Sequence, residues 1–271
     1  TISLENGKTC CMIYDGNGNI MIIIHHLFSD AITLKNILSA IDNLDENANF
    51  ESSLYAEYAW SQYGKYGSDN GDLSYIEERN KSYESDDVVM ISEEDYYDTL
   101  VDISKEWRVS IESILLLQLY KSIGFLPKTV IEVERIGRDA SGKWDDICGW
   151  LSFSASFDLS CAENGEQHEM AERIGKAISG LTFEKDRLDG TESENALTWN
   201  YIGNIDVSAS FDSFNVKAFG QFNGKSTGRT TPIYFAVYFK EDKLCCDVNY
   251  DSLVYTKEPV SYTHLRAHET E

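Results

Sequence analysis

Ile22-Ile23-Ile24-His25-His26-Leu27-Phe28-Ser29-Asp30-Ala31 sets two adjacent imidazoles where an apolar β-run gives way to a helical pattern. Before it, Met12-Ile13-Tyr14 and Ile20 to Ile24 flank Asp15-Gly16-Asn17-Gly18-Asn19, which predicts a β-hairpin whose glycines supply positive φ angles. After it, Ser29 is placed to cap a helix carrying Ile32, Leu34, Ile37, Leu38, Ile41 and Leu44 at roughly helical spacing. Neighbouring strand residues face opposite ways, so His25 and His26 enter different surroundings if strand geometry persists. One imidazole is then free for chemistry and the other serves structure.

Composition bounds the alternatives. The 271 residues are 42% hydrophobic and 25% charged, enough for one large domain or two lobes with their own cores. With 46 acidic and 23 basic residues the formal charge is -23, which disfavours nonspecific binding to nucleic acid phosphates or anionic lipid. No apolar run reaches the length of a membrane span; Ile111 to Leu119 is interrupted by Glu112 and Gln118. The 6 cysteines include the pairs Cys10-Cys11 and Cys245-Cys246 but no C-x-x-C spacing, so reduced thiols in a cytoplasmic protein are expected rather than a zinc ribbon or redox motif.

Along the chain, Tyr55, Tyr58, Ala59 and Trp60 suggest an aromatic core face on a second helix, and Glu84-Ser85-Asp86-Asp87 an acidic loop at a lobe boundary. A strand at Val88 to Ile91 leads to the helix start Ser92-Glu93-Glu94-Asp95, with helix to about Trp107. Ser110 can begin another helix, buried on more than one side through Ile111, Ile114, Leu115, Leu117 and Leu119. Thr129 to Val133 reads as a strand with Glu134 at its end. Further strands are expected at Leu151 to Phe157, Leu197 to Ile202, Ile233 to Phe239 and Leu244 to Val248, with a helix near Glu169 to Ile178. The fold class is mixed α/β.

His25-His26-x-x-x-Asp30 resembles the HHxxxDG signature of nonribosomal peptide synthetase condensation and epimerization domains, with Ala31 in place of the glycine. Glu134-Arg135-Ile136-Gly137-Arg138 is similar to the E-x-H-G-R stretch of epimerization domains, with Ile136 where they carry histidine. Gly149-Trp150-Leu151-Ser152 resembles their G-W-F-T segment and Asn200-Tyr201-Ile202-Gly203 their N-Y-L-G segment, so the likeness spans roughly Met12 to Asp251.

That resemblance implies a two-lobed chloramphenicol acetyltransferase-like fold with an incomplete first lobe. Residues 1–87 would form its C-terminal part and 88–255 the second lobe; separately, 256–271 reads as a non-native tail, in which Ser261 to Glu271 resembles translated sequencing adapter. It implies His26 as general base or acid at a carrier-bound aminoacyl or peptidyl thioester, since an imidazole with a reference pKa of about 6.5 gives and takes protons near neutrality. Inverting an α-carbon requires removing a proton from one face and returning one to the other, which makes Glu134 the opposing group. His25 would orient the loop, and Asp30 would be structural, ion-paired with an arginine from a first-lobe segment that the chain lacks. Arg138 would hold the loop, and Trp150, Asn200 and Tyr201 would line the tunnel, though Trp199 and Tyr201 also suit packing. The implied partners are a peptidyl carrier protein, which brings the phosphopantetheine cofactor on its own arm, and neighbouring synthetase modules.

Peptide-bond-forming condensation needs only one positioned imidazole and is the alternative activity. A catalytically silent carrier-docking scaffold is the alternative of another class. Other motifs fail on spacing. Gly224-Lys225-Ser226 lacks the first glycine of a P-loop, the Asp15–Asn19 turn lacks the third glycine of a dinucleotide fingerprint, and no G-x-S-x-G occurs. His264 and His268 stand at i, i+4 without a third ligand, so no metal is expected.

Overall fold

The computed structural model describes residues 6–43, 55–60, 85–92, 96–122, 130–138, 142–182, 197–204 and 231–255. They divide into two compact units. One gathers the described residues up to Trp60 together with Ile136–Ser152, and the other holds the remainder.

In the first unit, β1 (Cys10–Tyr14) and β2 (Ile20–Ile24) form the expected hairpin, antiparallel with Cys10 opposite Ile24 and Tyr14 opposite Ile20. Gly16 and Gly18 adopt φ of 80° and 95°, and the Asp15 carboxylate accepts the Asn17 and Asn19 amides at 2.7 and 3.1 Å. The turn is therefore closed by its own residues. Strand geometry ends at Ile24, a 3₁₀ turn covers His26–Phe28, and α1 runs Ala31–Asp42.

The residue that caps α1 is Asp30, not Ser29. Asp30 is extended, at φ -121° and ψ -176°, and its side chain accepts the Thr33 amide at 2.8 Å. A carboxylate satisfies that amide and also complements the positive end of the helix, which a hydroxyl does more weakly. On α1 Leu38 is buried while Leu34 and Ile41 are exposed; Leu44 lies outside the described residues. Residues 55–60 are helical, but their aromatics do not form one core face: Tyr58 is buried with Trp144, Ile147 and Leu151, whereas Trp60 is 68% exposed.

The second unit is built on six strands: β3 (Ser85–Ile91), β4 (Val130–Ile136), β5 (Ser152–Asp158), β6 (Thr198–Asn204), β7 (Ile233–Lys240) and β8 (Lys243–Asp251). Their order is β3-β8-β7-β6-β4-β5. The pairs β4/β6 and β6/β7 are parallel, while β7/β8 and β3/β8 are antiparallel. Strand β3 starts three residues before the expected Val88, so Ser85-Asp86-Asp87 pairs with Asp251-Tyr250-Asn249 instead of looping. Strand β4 continues to Ile136, which puts Glu134 inside the strand rather than at its end.

Register aligns Val133, Trp199, Phe235 and Val248 across four strands, all four buried in one core. The helices α2 (Tyr96–Trp107), α3 (Ile111–Ser122) and α4 (Gln167–Ser179) complete this unit. Ser110 Oγ accepts the Ser113 amide at 3.1 Å and starts α3, which buries Ile114, Leu115, Leu116, Leu117 and Leu119. On α4, Ala171, Ile174 and Ile178 are buried at helical spacing. Helices α3 and α4 meet where Ser113 faces Gly175, and a Cβ on that glycine would lie 2.8 Å from Ser113 Oγ.

None of the six cysteines, all among the described residues, is joined in a disulfide. No helix among the described residues is long and apolar enough to cross a membrane. Residues 256–271, the P-loop-like Gly224-Lys225-Ser226 and the His264/His268 pair lie outside the described residues.

Candidate functional site

The first unit holds the histidine loop. Because β2 ends before the two imidazoles, their directions are set by the 3₁₀ turn rather than by strand alternation. His26 Nδ1 lies 2.7 Å from the Ser29 carbonyl oxygen. A carbonyl only accepts, so Nδ1 is the N–H, and this fixes the tautomer in which Nε2 carries the lone pair. The ring packs on Trp150, with centroids 5.7 Å apart and a 31° tilt. His26 is an exposed residue, and Trp150 is 46% exposed. His25 instead packs edge-on against Phe28, with centroids 6.4 Å apart.

Asp30 anchors the loop from below. Its carboxylate forms an ion pair with Arg138 Nη1, the two side chains being 8% and 2% exposed. Its other oxygen caps α1, and the paired oxygen also accepts the Leu151 amide at 3.4 Å. Arg138 Nη2 donates to the Ile147 carbonyl at 2.7 Å, and at 3.4 Å to Thr33 Oγ1. Thr33 Oγ1 donates to the Gly149 carbonyl and accepts the Gly149 amide, both at 3.0 Å.

The arginine expected from a missing segment is thus present in the chain, 108 residues after Asp30. It comes from the end of the Glu134–Arg138 motif, and it ties that end to the histidine motif and to Gly149-Trp150. Thr33, buried at the centre of the node, was not singled out in the sequence, where a threonine in the first turn of a helix carries no distinguishing signal. Cys148 lies alongside: burial pushes its thiol up, the Arg138 guanidinium pulls it down, and Asp30 pushes it up.

Two glycines from the motifs make this packing sterically feasible. The Gly137 amide donates to the Leu151 carbonyl at 2.5 Å, and a Cβ on Gly137 would overlap that same oxygen. A Cβ on Gly149 would run into the Tyr55 ring. Neither position tolerates a side chain without moving what surrounds it.

Glu134 lies in the second unit, where β4, β6 and β7 bring three side chains together. Asn200 Nδ2 donates to Glu134 Oε2 at 2.6 Å and to Tyr234 Oη at 2.8 Å. The two-residue alternation puts Glu134 and Asn200 on the face opposite Val133 and Trp199. Trp199 is a buried packing residue. Tyr201 is packed against the core, and burial, reinforced by Glu112 and Tyr97, pushes its phenol up to about 12. Arg135 points to the core side and forms two 2.8 Å hydrogen bonds with the buried Glu112 of α3. Ile136 is exposed. Tyr234, the third member of the Glu134 cluster, belongs to none of the recognised motifs. Among the described residues, no group of three or more His, Cys, Asp or Glu is placed to hold a metal.

Solved structures resolve the architecture. The epimerization domain from the third module of tyrocidine synthetase B matches with a TM-score of 0.68 at 13% identity, covering 99% of this chain and 72% of that one. The first condensation domain of the CDA synthetase matches at 0.60 and 14% identity, over 96% of this chain and 65% of that one. A condensation domain of the enacyloxin polyketide synthase, associated with chain release, also matches at 0.60 and 14% identity, over 92% of this chain and 56% of that one.

This is the condensation-domain fold. The expected α/β class of the chloramphenicol acetyltransferase type is therefore observed, and the chain spans only part of the length of these structures. No family model matches the chain, and no curated protein matches it significantly.

Proposed function

We propose that the chain is part of a condensation-superfamily domain of a nonribosomal peptide synthetase, and that the whole domain epimerizes a carrier-bound aminoacyl or peptidyl thioester. The observation that carries this reading is the His26 imidazole: Nδ1 is committed to the Ser29 carbonyl, so Nε2 is presented for proton transfer on a loop anchored by Asp30 and Arg138. His26 would exchange the proton on one face of the α-carbon and Glu134 on the other. His25 and Asp30 shape the loop, Arg138 holds it, and Trp150 and Asn200 are proposed to line the substrate's path, while Tyr201, packed against the core, serves the fold.

The substrate would arrive on the phosphopantetheine arm of a peptidyl carrier protein. The thioester makes the α-proton more acidic than that of an amide, and two acid/base groups suffice to invert the centre. The cofactor thus belongs to the partner, and neighbouring synthetase modules supply and receive the chain.

Ile136 favours a second reading. It stands where the epimerization motif carries histidine, and an isoleucine side chain neither donates nor accepts a hydrogen bond. Condensation, in which an α-amine attacks a thioester carbonyl, requires His26 but not Glu134. The discriminating assay is D/L exchange of a carrier-bound aminoacyl thioester by the full-length parent, with His26→Ala and Glu134→Gln variants. Loss of exchange in both supports epimerization. Product formation that depends on an acceptor amine and on His26 alone supports condensation, and carrier binding with neither activity refutes both.

A further inference from the structure

Asn200 directs both hydrogens of one amide nitrogen to defined acceptors, and the second acceptor has no counterpart in the sequence motifs. Nδ2 reaches Glu134 Oε2 at 2.6 Å and Tyr234 Oη at 2.8 Å. Because the two contacts share one nitrogen, they stand or fall together. Turning the amide over would set its oxygen against the Glu134 carboxylate.

We propose that Tyr234 is a positioning residue for Glu134: by accepting from Asn200 it fixes the direction of the amide nitrogen that donates to the carboxylate. This rests on the reading of Glu134 as an acid/base group. The ladder makes the arrangement stiff. Glu134, Asn200 and Tyr234 stand on three adjacent strands, with Thr198 registered on Tyr234 and Glu132 on Thr198. All three side chains leave the sheet on one face, one residue out of phase with the buried row Val133, Trp199 and Phe235. Asn200 favours the charged form of Glu134 because a carboxylate accepts this hydrogen more strongly than a neutral acid does. Losing the hold of Tyr234 on the amide therefore makes Glu134 harder to ionise.

The other titratable groups on the surrounding strands are Glu132 and Arg135 on β4, Asp158 on β5, Tyr201 on β6, Tyr238 and Lys240 on β7, and Lys243, Cys245, Cys246, Asp247, Tyr250 and Asp251 on β8. Glu132 shares the face of Glu134. Arg135 is engaged with Glu112 on the opposite side, Tyr201 packs on the core, and Tyr238 donates to Asp247 at 3.2 Å.

The test is the carboxyl titration of Glu134 in the purified 271-residue chain, followed by carbon NMR with labelled glutamate and assigned through Glu134→Gln. Tyr234→Phe is expected to raise the Glu134 midpoint by about half a pH unit, roughly threefold in its dissociation constant. Asn200→Ala should raise it further, and adding Tyr234→Phe to Asn200→Ala should change nothing more, since the hydroxyl acts through the amide. Fluorotyrosine at position 234, a weaker acceptor that preserves the ring, should shift the midpoint upward by less. An unchanged or lowered midpoint in Tyr234→Phe with the backbone spectrum intact overturns the proposal, as does an equal shift in the Asn200→Ala background. The measurement needs no turnover: if Glu134→Gln retains exchange in the parent, the catalytic role of Glu134 fails while the relay still stands.

Discussion

Asp30→Asn isolates what the buried ion pair contributes to the histidine loop. Asparagine is as good a helix cap as aspartate, so the bond from the Thr33 amide can survive. The pair with Arg138 cannot. If the single amide oxygen of the introduced asparagine caps the helix, its NH₂ group faces the guanidinium, placing donor against donor. Arg138 is 2% exposed, so its charge loses its partner without gaining water. Removing one member of a buried pair costs about 3–5 kcal/mol, against a typical domain stability of about 5–15 kcal/mol. At about 1.4 kcal/mol per factor of ten, exchange of the Thr33, Gly149 and Leu151 amides should accelerate by roughly two orders of magnitude or more.

The assay is urea denaturation combined with amide hydrogen exchange. Arg138→Met in the Asp30→Asn background should recover most of the loss by removing the orphaned charge, although the Ile147 carbonyl then lacks its donor. A loss below about 1 kcal/mol in Asp30→Asn, or a double variant no better than the sum of the single ones, would refute the reasoning.

The two motif glycines should differ in tolerance. Gly149→Ala meets the ring of a partly exposed Tyr55, which can swing aside, so a loss of about 1–3 kcal/mol in urea is expected. Gly137→Ala meets a backbone carbonyl that has no such escape, and far less soluble protein should be recovered from expression. The Tyr201 phenol, pushed up to about 12 by burial, stays neutral in the folded chain after its unfolded counterpart ionises. Its contribution is fully present below the unfolded value of about 10 and is lost as pH rises through the folded value. Tyr201→Phe should therefore show a shallower decline of stability across that alkaline window, as measured by urea midpoints.

Local chemistry was legible because it is written in neighbouring residues. The Gly16 and Gly18 turn and the leucine-rich α3 each follow from rules that span a few positions. The spacing of His25, His26 and Asp30 likewise located the loop. Even there, competition between adjacent groups misled: Ser29 and Asp30 are both good caps, and the choice fell to Asp30 because its carboxylate also meets Arg138.

What the chain could not disclose in one dimension is pairing across long separations. Asp30 finds Arg138 across 108 residues, Thr33 finds Gly149 across 116, and Tyr234 reaches Asn200 across 34. No periodicity encodes such partners. The sequence by itself determined where strands and helices form and which residue types carry proton chemistry, because those depend on local backbone preference and side-chain pKa. Only the tertiary structure decided which arginine neutralises Asp30, which nitrogen of His26 is free, and which hydroxyl braces Asn200, because hydrogen bonds are set by distance in space.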